Sequence, residues 1–355
     1  MRAPRLQDSY LVVELTNRCV AACRHCIQRT WEHHAHFSEH RHFDADALRA
    51  LAADCTSAGL FFDTLILFWL GEPLMHPEFA ELYVELLDGN ANRPWFGKAE
   101  VHTNAILLTP ELREAALARP DAPARWHFSL DASTPETHQW VKGVDRFAEA
   151  DGNAQAMLEE RGVASNPRLV FQFVVQPANA AEAPDFVARW VSRAEACGRS
   201  CRPVAYGVPG DGADHVFLRQ LDALDPTEQP SADRLYAETC NGMGLPAPER
   251  MRPPRGRVIC SGPWKSPTIG ADGRVTVCTR DSGFLLQIGE MADASFPELW
   301  WEGEAIARLR EAHRRGGEAL PMLCQDCPIP RSSNYTTIRG AELAAYEAWR
   351  RGRGG

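Results

Sequence analysis

The sequence predicts an α/β fold built on a parallel sheet. Two observations carry this prediction: short apolar runs rich in β-branched and aromatic residues recur along the chain, and helix-like stretches lie between them. Strands that alternate with helices are typical of βαβ units, which pair their strands in parallel. Six such units suggest a partial (β/α)6 TIM-like barrel, in which functional residues lie on loops at the C-terminal ends of the strands.

The predicted elements come in a regular order. The strands are Leu11–Leu15, Thr64–Leu70, Ala99–His102, Trp126–Leu130, Leu169–Val175 and Pro203–Val208. The helices between them are Asp44–Ala58, Pro77–Leu87, Pro110–Ala118, Arg146–Arg161 and Ala181–Cys197. A Pro- and Gly-rich stretch predicts a linker over 245–256. We therefore expect a barrel over 1–244, an α+β module that carries cysteines over 257–335, and a helix and tail over 336–355.

The composition is that of an ordinary globular protein. The 355 residues carry a net charge of −9, which argues against nucleic acid or an anionic membrane as the main partner. No apolar run approaches the ~20 residues needed to span a bilayer, and the N-terminus lacks a signal-peptide core, so we expect a cytoplasmic location. Eleven cysteines, an odd number, then indicate metal ligands or free thiols rather than disulfides.

Three cysteines form a C-x3-C-x2-C run directly after the first predicted strand. They are Cys19, Cys23 and Cys26. Iron–sulfur clusters normally have four cysteine ligands, so three in one tight loop would leave one iron open to another ligand. Zinc is the alternative, because His25 or His33 could complete a four-ligand set.

This run resembles the signature of the radical S-adenosylmethionine (radical SAM) enzymes, with His25 where the family carries an aromatic residue. The resemblance implies a 4Fe–4S cluster whose free iron binds the amino and carboxylate groups of SAM. It also implies that one electron cleaves SAM to methionine and a 5′-deoxyadenosyl radical, which takes a hydrogen atom from the substrate. A flavodoxin- or ferredoxin-type reductant is the implied partner.

Two stretches at strand ends resemble SAM-binding motifs of this family. Gly71-Glu72-Pro73 follows the second strand and resembles the Gly-Gly-Glu-Pro motif that holds the SAM amino group, an ammonium that suits a carboxylate. Asn104 ends the third strand, where related enzymes carry Thr-Asn-Gly. Ala105 replaces that glycine and makes the loop less permissive. Each stretch, taken alone, is also compatible with an ordinary turn.

The stretch after the fourth strand, from Ser129 to Thr137, resembles the S-[IL]-D-A-x-T-P-E-T segment of radical SAM enzymes with auxiliary clusters. By that resemblance Ser129 donates to SAM. Lys142 replaces the arginine that pairs with the SAM carboxylate, and it keeps the charge but loses the bidentate fork. Thr134-Pro135-Glu136 also predicts an ordinary helix N-cap.

The fifth strand carries polar residues on one face. Gln172, Val174 and Gln176 alternate, so in a barrel they can point inward together. Inward glutamines need partners, which SAM or substrate could supply. An outward face or a strand end is the alternative.

Four further cysteines follow the linker in the order C-x17-C…C-x2-C. They are Cys260, Cys278, Cys324 and Cys327. Asp272-Gly273 between apolar strands predicts a hairpin that brings Cys278 back towards Cys260. Four thiolates would close a second 4Fe–4S cluster, and a zinc ribbon is the alternative. The module resembles the SPASM extension in its shortened twitch form, since no cysteine follows Cys327, and this implies one auxiliary cluster with complete cysteine ligation.

Catalytic residues beyond these motifs carry weaker signals. Cys240 is a candidate hydrogen-atom donor. Arg255 and Arg257 are candidates for binding an anionic or hydroxylated substrate, although solvated linker charges are the favoured interpretation. Five histidines in 30–42 favour a lid or substrate-facing loop over a metal site.

The resemblance covers about residues 9 to 330. The cluster run begins at Cys19, without the N-terminal recognition domain of many peptide-modifying SPASM enzymes, so we expect a small polar substrate of carbohydrate, aminocyclitol or nucleoside type. The main hypothesis is dehydrogenation in natural-product, antibiotic-type biosynthesis, with the auxiliary cluster as electron acceptor. The alternatives are a redox-neutral epimerase or decarboxylase that uses a thiol such as Cys240, a peptide-modifying enzyme with a separate recognition protein, and a zinc or electron-transfer protein.

Overall fold

One ten-stranded sheet forms the framework of the protein. The computed structural model describes residues 5–28, 39–246, 259–325, 327, 338 and 340–351. The strands are β1 Tyr10–Val13, β2 Phe62–Ile66, β3 Phe96–Thr103, β4 Ala124–Ser129, β5 Arg168–Val175, β6 Cys201–Ala205, β7 Asp214–Gln220, β8 Thr268–Ile269, β9 Arg274–Thr276 and β10 Gly289–Glu290. The helices are α1 Ala45–Ala58, α2 Phe79–Asn92, α3 Pro110–Leu117, α4 Pro135–Lys142, α5 Phe147–Arg161, α6 Ala183–Ala196, α7 Gln229–Gly242, α8 Gly262–Lys265, α9 Glu304–Arg315, α10 Met322–Gln325 and α11 Gly340–Arg351.

The strand order confirms the predicted α/β architecture. The order is β10-β9-β8-β1-β2-β3-β4-β5-β7-β6. All pairs from β8 to β6 are parallel, and only β8-β9-β10 run antiparallel. Because helices α1 to α6 connect successive parallel strands, this part of the chain is a partial (β/α) barrel, and the predicted helices 44–58, 110–118 and 146–161 lie within a residue of their observed bounds.

One strand of the barrel was missed by the sequence analysis. Strand β7 lies between β5 and the predicted sixth strand, which becomes the edge strand β6. Its side chains alternate in direction: Val216 and Leu218 are buried in the core, and His215, Phe217 and Arg219 point to the other face. The alternation is a strand signal, but the pairing of β7 with β5 is a long-range choice that no local pattern specifies.

The two faces of the barrel strands differ in chemistry. Val101, Trp126, Phe171 and Val216 belong to the main hydrophobic core, which the outer helices cover. Because side chains alternate across a strand, their neighbours point to the inner face, which we call the lumen. The lumen side chains include Lys98, Glu100, His102, Arg125, His127, Ser129, Gln172 and Arg219.

The C-terminal module continues the sheet of the barrel. Its strand β8 pairs in parallel with β1, and Gly273, at a φ of +83°, closes the predicted hairpin between β8 and β9. The buried Glu14 joins the two parts: one carboxylate oxygen accepts from Leu70 N at 3.2 Å and the other from Ala271 N at 3.0 Å. The module is therefore fixed against the loop that follows β2.

Two ion pairs attach the module at its far ends. Lys265 Nζ lies 2.9 Å from Glu342 of α11. Arg280 donates to Asp222, just beyond β7, at 3.0 Å. The module thus contacts strand β1, the segment that follows β7, and the C-terminal helix α11. None of the described helices has the length and apolar character needed to cross a bilayer.

Candidate active site

The first cysteine run lies in the loop that follows β1. Cys19, Cys23 and Cys26 are half-buried free thiols. Gln28 N donates to Cys26 Sγ at 3.5 Å, and Asn104 Nδ2 lies 3.8 Å from Cys19 Sγ. Burial raises the pKa of Cys26 to about 11, so the thiolates that a cluster requires depend on the positive charge of the iron. Amide groups directed at cysteine sulfurs are typical of iron–sulfur sites, and these residues fit a three-cysteine cluster.

Two glycines hold the cysteine loop by close backbone contact. A Cβ on Gly71 would overlap the carbonyl oxygen of Thr16, and one on Gly143 would overlap that of Ala22. Gly143 also adopts a φ of +69°, which other residues reach only at a cost. Ala22 N donates to the carbonyl of Lys142 at 2.8 Å. The loop is therefore held between the Gly-Glu-Pro turn and the end of α4.

Glu72 is a buried carboxylate at the end of the turn after β2. Its oxygens accept from Leu74 N at 3.2 Å and from Asn104 N at 2.8 Å. Burial raises the pKa of Glu72 to about 7. Asn104 also accepts from Ile106 N at 3.0 Å, and Ala105 between them adopts a φ of +63°. An oriented carboxylate beside the cysteine loop fits the ammonium group of SAM.

Lys142 and Asp131 form a buried ion pair beside Ser129. Lys142 Nζ contacts Asp131 Oδ2 and donates to Ser129 Oγ at 3.1 Å. Burial alone would raise the pKa of Asp131 and lower that of Lys142, but their mutual attraction reverses both shifts. The Lys142 ammonium has three N–H donors, and the two contacts above use two of them. The third donor suits the carboxylate of SAM. The sequence analysis gave Asp131 no role, although it lies within the quoted stretch.

Both glutamines of strand five point inward. Gln172 Nε2 donates to Ser129 Oγ at 3.4 Å. Gln176 Nε2 lies 3.4 Å from His25 Nδ1 in the cysteine loop. The structure therefore brings Lys142 and Gln172 together at Ser129. It places Gln176 against His25 of the cysteine loop, and Asn104 against Glu72 and Cys19.

The second cysteine set draws on three segments of the module. Gly262 N donates to Cys260 Sγ at 3.5 Å, and Arg280 N donates to Cys278 Sγ at 3.4 Å. Burial, reinforced by the other thiols of the set, raises the pKa of both Cys278 and Cys324 to about 12. The four cysteines that lie within electrostatic reach of one another are Cys260, Cys278, Cys324 and Cys327. Their chemistry fits a second, fully ligated cluster.

The remaining predicted residues lie elsewhere. Cys240 is buried on α7, outside the barrel, next to the hydroxyl of Tyr236. Arg255, Arg257 and most of the histidine-rich segment 30–42 fall outside the described residues.

Glu100, His102 and His127 form a cluster in the lumen that was not predicted from the sequence motifs. A side-chain nitrogen or oxygen from each of these residues lies within 4.8 Å of the others. The signal that could have found them is the alternation of polar residues along β3 and β4.

Comparison with known proteins agrees with this geometry. The family model of the radical SAM superfamily matches residues 13–166, and the model of the SPASM iron–sulfur cluster-binding domain matches residues 260–328. Together they span more than half of the chain and contain both cysteine sets. No match is found among functionally curated proteins.

Solved structures share the fold at low sequence identity. The structure of SuiB from Streptococcus suis is 13% identical, with a TM-score of 0.57 over 85% of this chain and 67% of SuiB. Native anSMEcpe with bound AdoMet is 12% identical, with a TM-score of 0.58 over 97% of each chain. BtrN in complex with AdoMet and 2-DOIA is 13% identical over 95% of this chain and 100% of BtrN, with a lower TM-score of 0.48. With both family models matched and both cysteine sets in place, the chain belongs to the radical SAM superfamily, carries a SPASM domain in its C-terminal part, and has SAM and iron–sulfur clusters as its cofactors.

Proposed function

We propose that the protein dehydrogenates a small polar substrate of carbohydrate, aminocyclitol or nucleoside type, in a natural-product pathway of antibiotic type. The observation that carries this proposal is the chemistry of the lumen, where charged residues line three strands and buried side-chain atoms of His102, His127 and Gln172 have no hydrogen-bond partner among the described residues. Buried polar groups require partners. A compact molecule with several hydroxyl or amino groups offers such partners on every side, whereas an apolar substrate would leave them unsatisfied.

The chain's own residues bind and orient the reactants in this proposal. When bound, the first cluster and SAM supply a 5′-deoxyadenosyl radical, and the second cluster supplies an electron acceptor. Glu72 holds the SAM ammonium, while Lys142, supported by Asp131 and Ser129, holds the SAM carboxylate. An apolar cluster of Val12, Trp69 and Phe284 covers the join between barrel and module, which keeps water from the substrate.

Dehydrogenation is preferred to redox-neutral epimerisation because of the two thiol environments. A cluster with four cysteine ligands leaves no iron for the substrate and suits electron transfer. Epimerisation needs a thiol that returns a hydrogen atom, and Cys240 lies on an outer helix. These observations support an oxidoreductase with a single twitch-type auxiliary cluster.

Peptide modification is the second candidate. Among the similar structures, SuiB is bound to the precursor peptide SuiA, and anSMEcpe is bound to AdoMet and the Cp18Cys peptide. The latter has a TM-score of 0.54 with this chain. A shared fold at this low sequence identity does not establish that the substrate is a peptide. It is a reason to include a short peptide in the substrate panel.

The test is an anaerobic reconstitution followed by a substrate panel. We expect about eight irons per chain, corresponding to two 4Fe–4S clusters, and release of 5′-deoxyadenosine under dithionite. Addition of glucosamine, myo-inositol, streptamine or adenosine should yield a product two mass units lighter in at least one case. Solvent deuterium in an unoxidised product would indicate epimerisation, and turnover of peptides alone would favour the second candidate. Zinc without SAM cleavage would overturn the proposal.

A further inference from the structure

We infer that His102 accepts the hydroxyl proton of the substrate, with Glu100 behind it as a positioning residue and His127 stacked against it. This inference rests on the proposed function, because it assigns the base that a dehydrogenation of a carbinol requires. None of these three residues belongs to the SAM site or to either cysteine set.

The histidine pair lies in the lumen next to the SAM site. His102 and His127 are register partners on β3 and β4, and their rings stack at 4.0 Å with an interplanar angle of 12°. Phe68 stacks on the other face of His102 at 5.1 Å. Two residues further along, Ser129 ends β4 and Asn104 lies directly after β3. One strand repeat spans about 7 Å, so the pair lies one layer below the residues that hold SAM.

The pair has unsatisfied nitrogen atoms. Only 6% of the His127 side chain is exposed, and neither of its ring nitrogens has a hydrogen-bond partner among the described residues. His102 Nε2 lies 3.5 Å from a Glu100 oxygen, outside good hydrogen-bond geometry. The His102 side chain is 18% exposed. Burial of unpaired polar atoms costs free energy. A ligand with hydroxyl groups would satisfy them.

The geometry of the pair does not suit a metal ion. The lone pairs of nearly parallel rings run side by side, so they cannot converge on one ion at about 2.1 Å. Glu100, the third potential ligand, is already paired with Lys98 and with Arg125, the latter at 3.2 Å. This excess of positive charge disfavours a divalent cation and favours a neutral or anionic substrate.

The charge state of the pair suits a proton acceptor. Burial lowers the pKa of His102 and, well below its usual value, that of His127. The charged groups that face the pair are Glu100, Lys98, Arg125 and Arg219. His102 is therefore neutral at pH 7. Glu100, at 3.5 Å, is positioned to stabilise the imidazolium that forms once His102 takes a proton.

The step balances with one electron from the reductant, dithionite in the assay, which is consumed when SAM is cleaved. With SAM and the clusters bound, the carbinol carbon would lose its hydrogen atom to the 5′-deoxyadenosyl radical. The O–H bond would then break as its proton moves to Nδ1 of His102, since Nε2 faces Glu100. The substrate passes its remaining unpaired electron to the auxiliary cluster and becomes a carbonyl compound. The substrate is oxidised by two electrons, SAM takes up one as part of the abstracted hydrogen atom, and the auxiliary cluster takes the other.

The test uses the reconstituted holoenzyme, SAM and whichever compound of glucosamine, myo-inositol, streptamine and adenosine is oxidised. We expect His102→Gln to lower kcat for carbonyl formation by about 100-fold or more, with iron content and SAM affinity retained. His313→Gln, a buried histidine of α9 that lies outside the lumen, is the matched control and should keep kcat. At saturating SAM, wild-type kcat should fall as the pH drops below the usual pKa of histidine, because the acceptor must be neutral. Glu100→Gln should move this acid limb to lower pH, which a purely structural role would not do.

Several results would overturn the inference. Undiminished carbonyl formation by His102→Gln would exclude His102 as the proton acceptor, and so would a wild-type pH profile of kcat without an acid limb. Neither result would contradict the proposed function. Zinc bound in excess of the clusters and lost in His127→Phe would make the cluster a metal site instead. If the wild-type enzyme cleaves SAM but oxidises no member of the panel, the proposed substrate class fails, and the inference fails with it.

Discussion

The two cysteine sites of this molecule are assembled in opposite ways. The first takes three cysteines from eight consecutive residues, 19–26, and two distant glycine turns hold that loop in place. The second takes four cysteines from segments that span 260–327, and it depends on a hairpin joined to strand β1. A compact motif therefore still needs long-range backbone contacts to hold its shape. A dispersed set needs the whole module to exist at all.

Removal of the ligands should have the largest effect and should separate the two sites. Combined alanine substitution of Cys19, Cys23 and Cys26 should abolish SAM cleavage and remove about half of the iron, since it removes all ligands of one of two clusters. Cys278→Ala should remove the other half and leave SAM cleavage in place. Iron, sulfide and 5′-deoxyadenosine are measured. Cys197→Ser, between α6 and β6, serves as the control, and loss of SAM cleavage in Cys278→Ala would show that the sites do not form independently.

Disruption of the glycine contacts should affect only the first site. Gly71→Ala or Gly143→Ala forces a methyl group into a backbone carbonyl, and such overpacking costs about 1–3 kcal/mol. We expect loss of the first cluster with auxiliary iron retained, measured by iron content and by chemical denaturation. Gly152→Ala in α5 is the matched control, because no atom lies within 4 Å of the added methyl group. The free energy of unfolding of Gly152→Ala should increase by about 0.5–1 kcal/mol, because alanine is favoured over glycine inside a helix. Equal iron content and equal stability of all three variants would show that the close glycine contacts do not hold the first cysteine loop.

Protonation of Glu72 should weaken SAM binding. The pKa of this carboxylate is raised to about 7 by burial, and only its ionised form pairs with an ammonium. SAM affinity should therefore fall as the pH drops below 7, by up to about tenfold per pH unit. Glu72→Gln should bind SAM weakly and without this pH dependence. Equilibrium dialysis of the cluster-loaded protein measures the effect, and a wild-type affinity that is flat from pH 5.5 to 8 would exclude the assignment.

The smallest expected effect concerns Ala105 beside the first site. Ala105 adopts a left-handed backbone conformation, which costs a residue with a side chain about 1–2 kcal/mol. Glycine avoids this strain, but it loses about 0.5–1 kcal/mol more conformational entropy on folding. Ala105→Gly should therefore increase the free energy of unfolding by up to about 1 kcal/mol, measured by denaturant titration. Ala115→Gly, within helix α3, should instead lower it by about 1 kcal/mol. A destabilised Ala105→Gly would show that the loop depends on the alanine methyl group.

Features that depend on local patterns could be predicted from the amino-acid sequence. Strand and helix periods, the N-cap at Thr134 and the Asp272-Gly273 hairpin all follow from neighbouring residues, and the structure agrees with them. The two cysteine sets and the Gly-Glu-Pro turn are likewise visible as spacings and short motifs. These features are predictable because turn chemistry and side-chain period act within a few residues.

Contacts between residues far apart in the sequence could not be predicted and depend on the packing of the whole fold. The insertion of β7 beside β5, the pairing of Lys142 with Asp131, and the bridge that Glu14 makes to the module each join separate segments. The stack of His102 on His127 depends on the register between two parallel strands. Strand pairing and register are set by the free energy of packing the whole barrel, so no local pattern could have specified them.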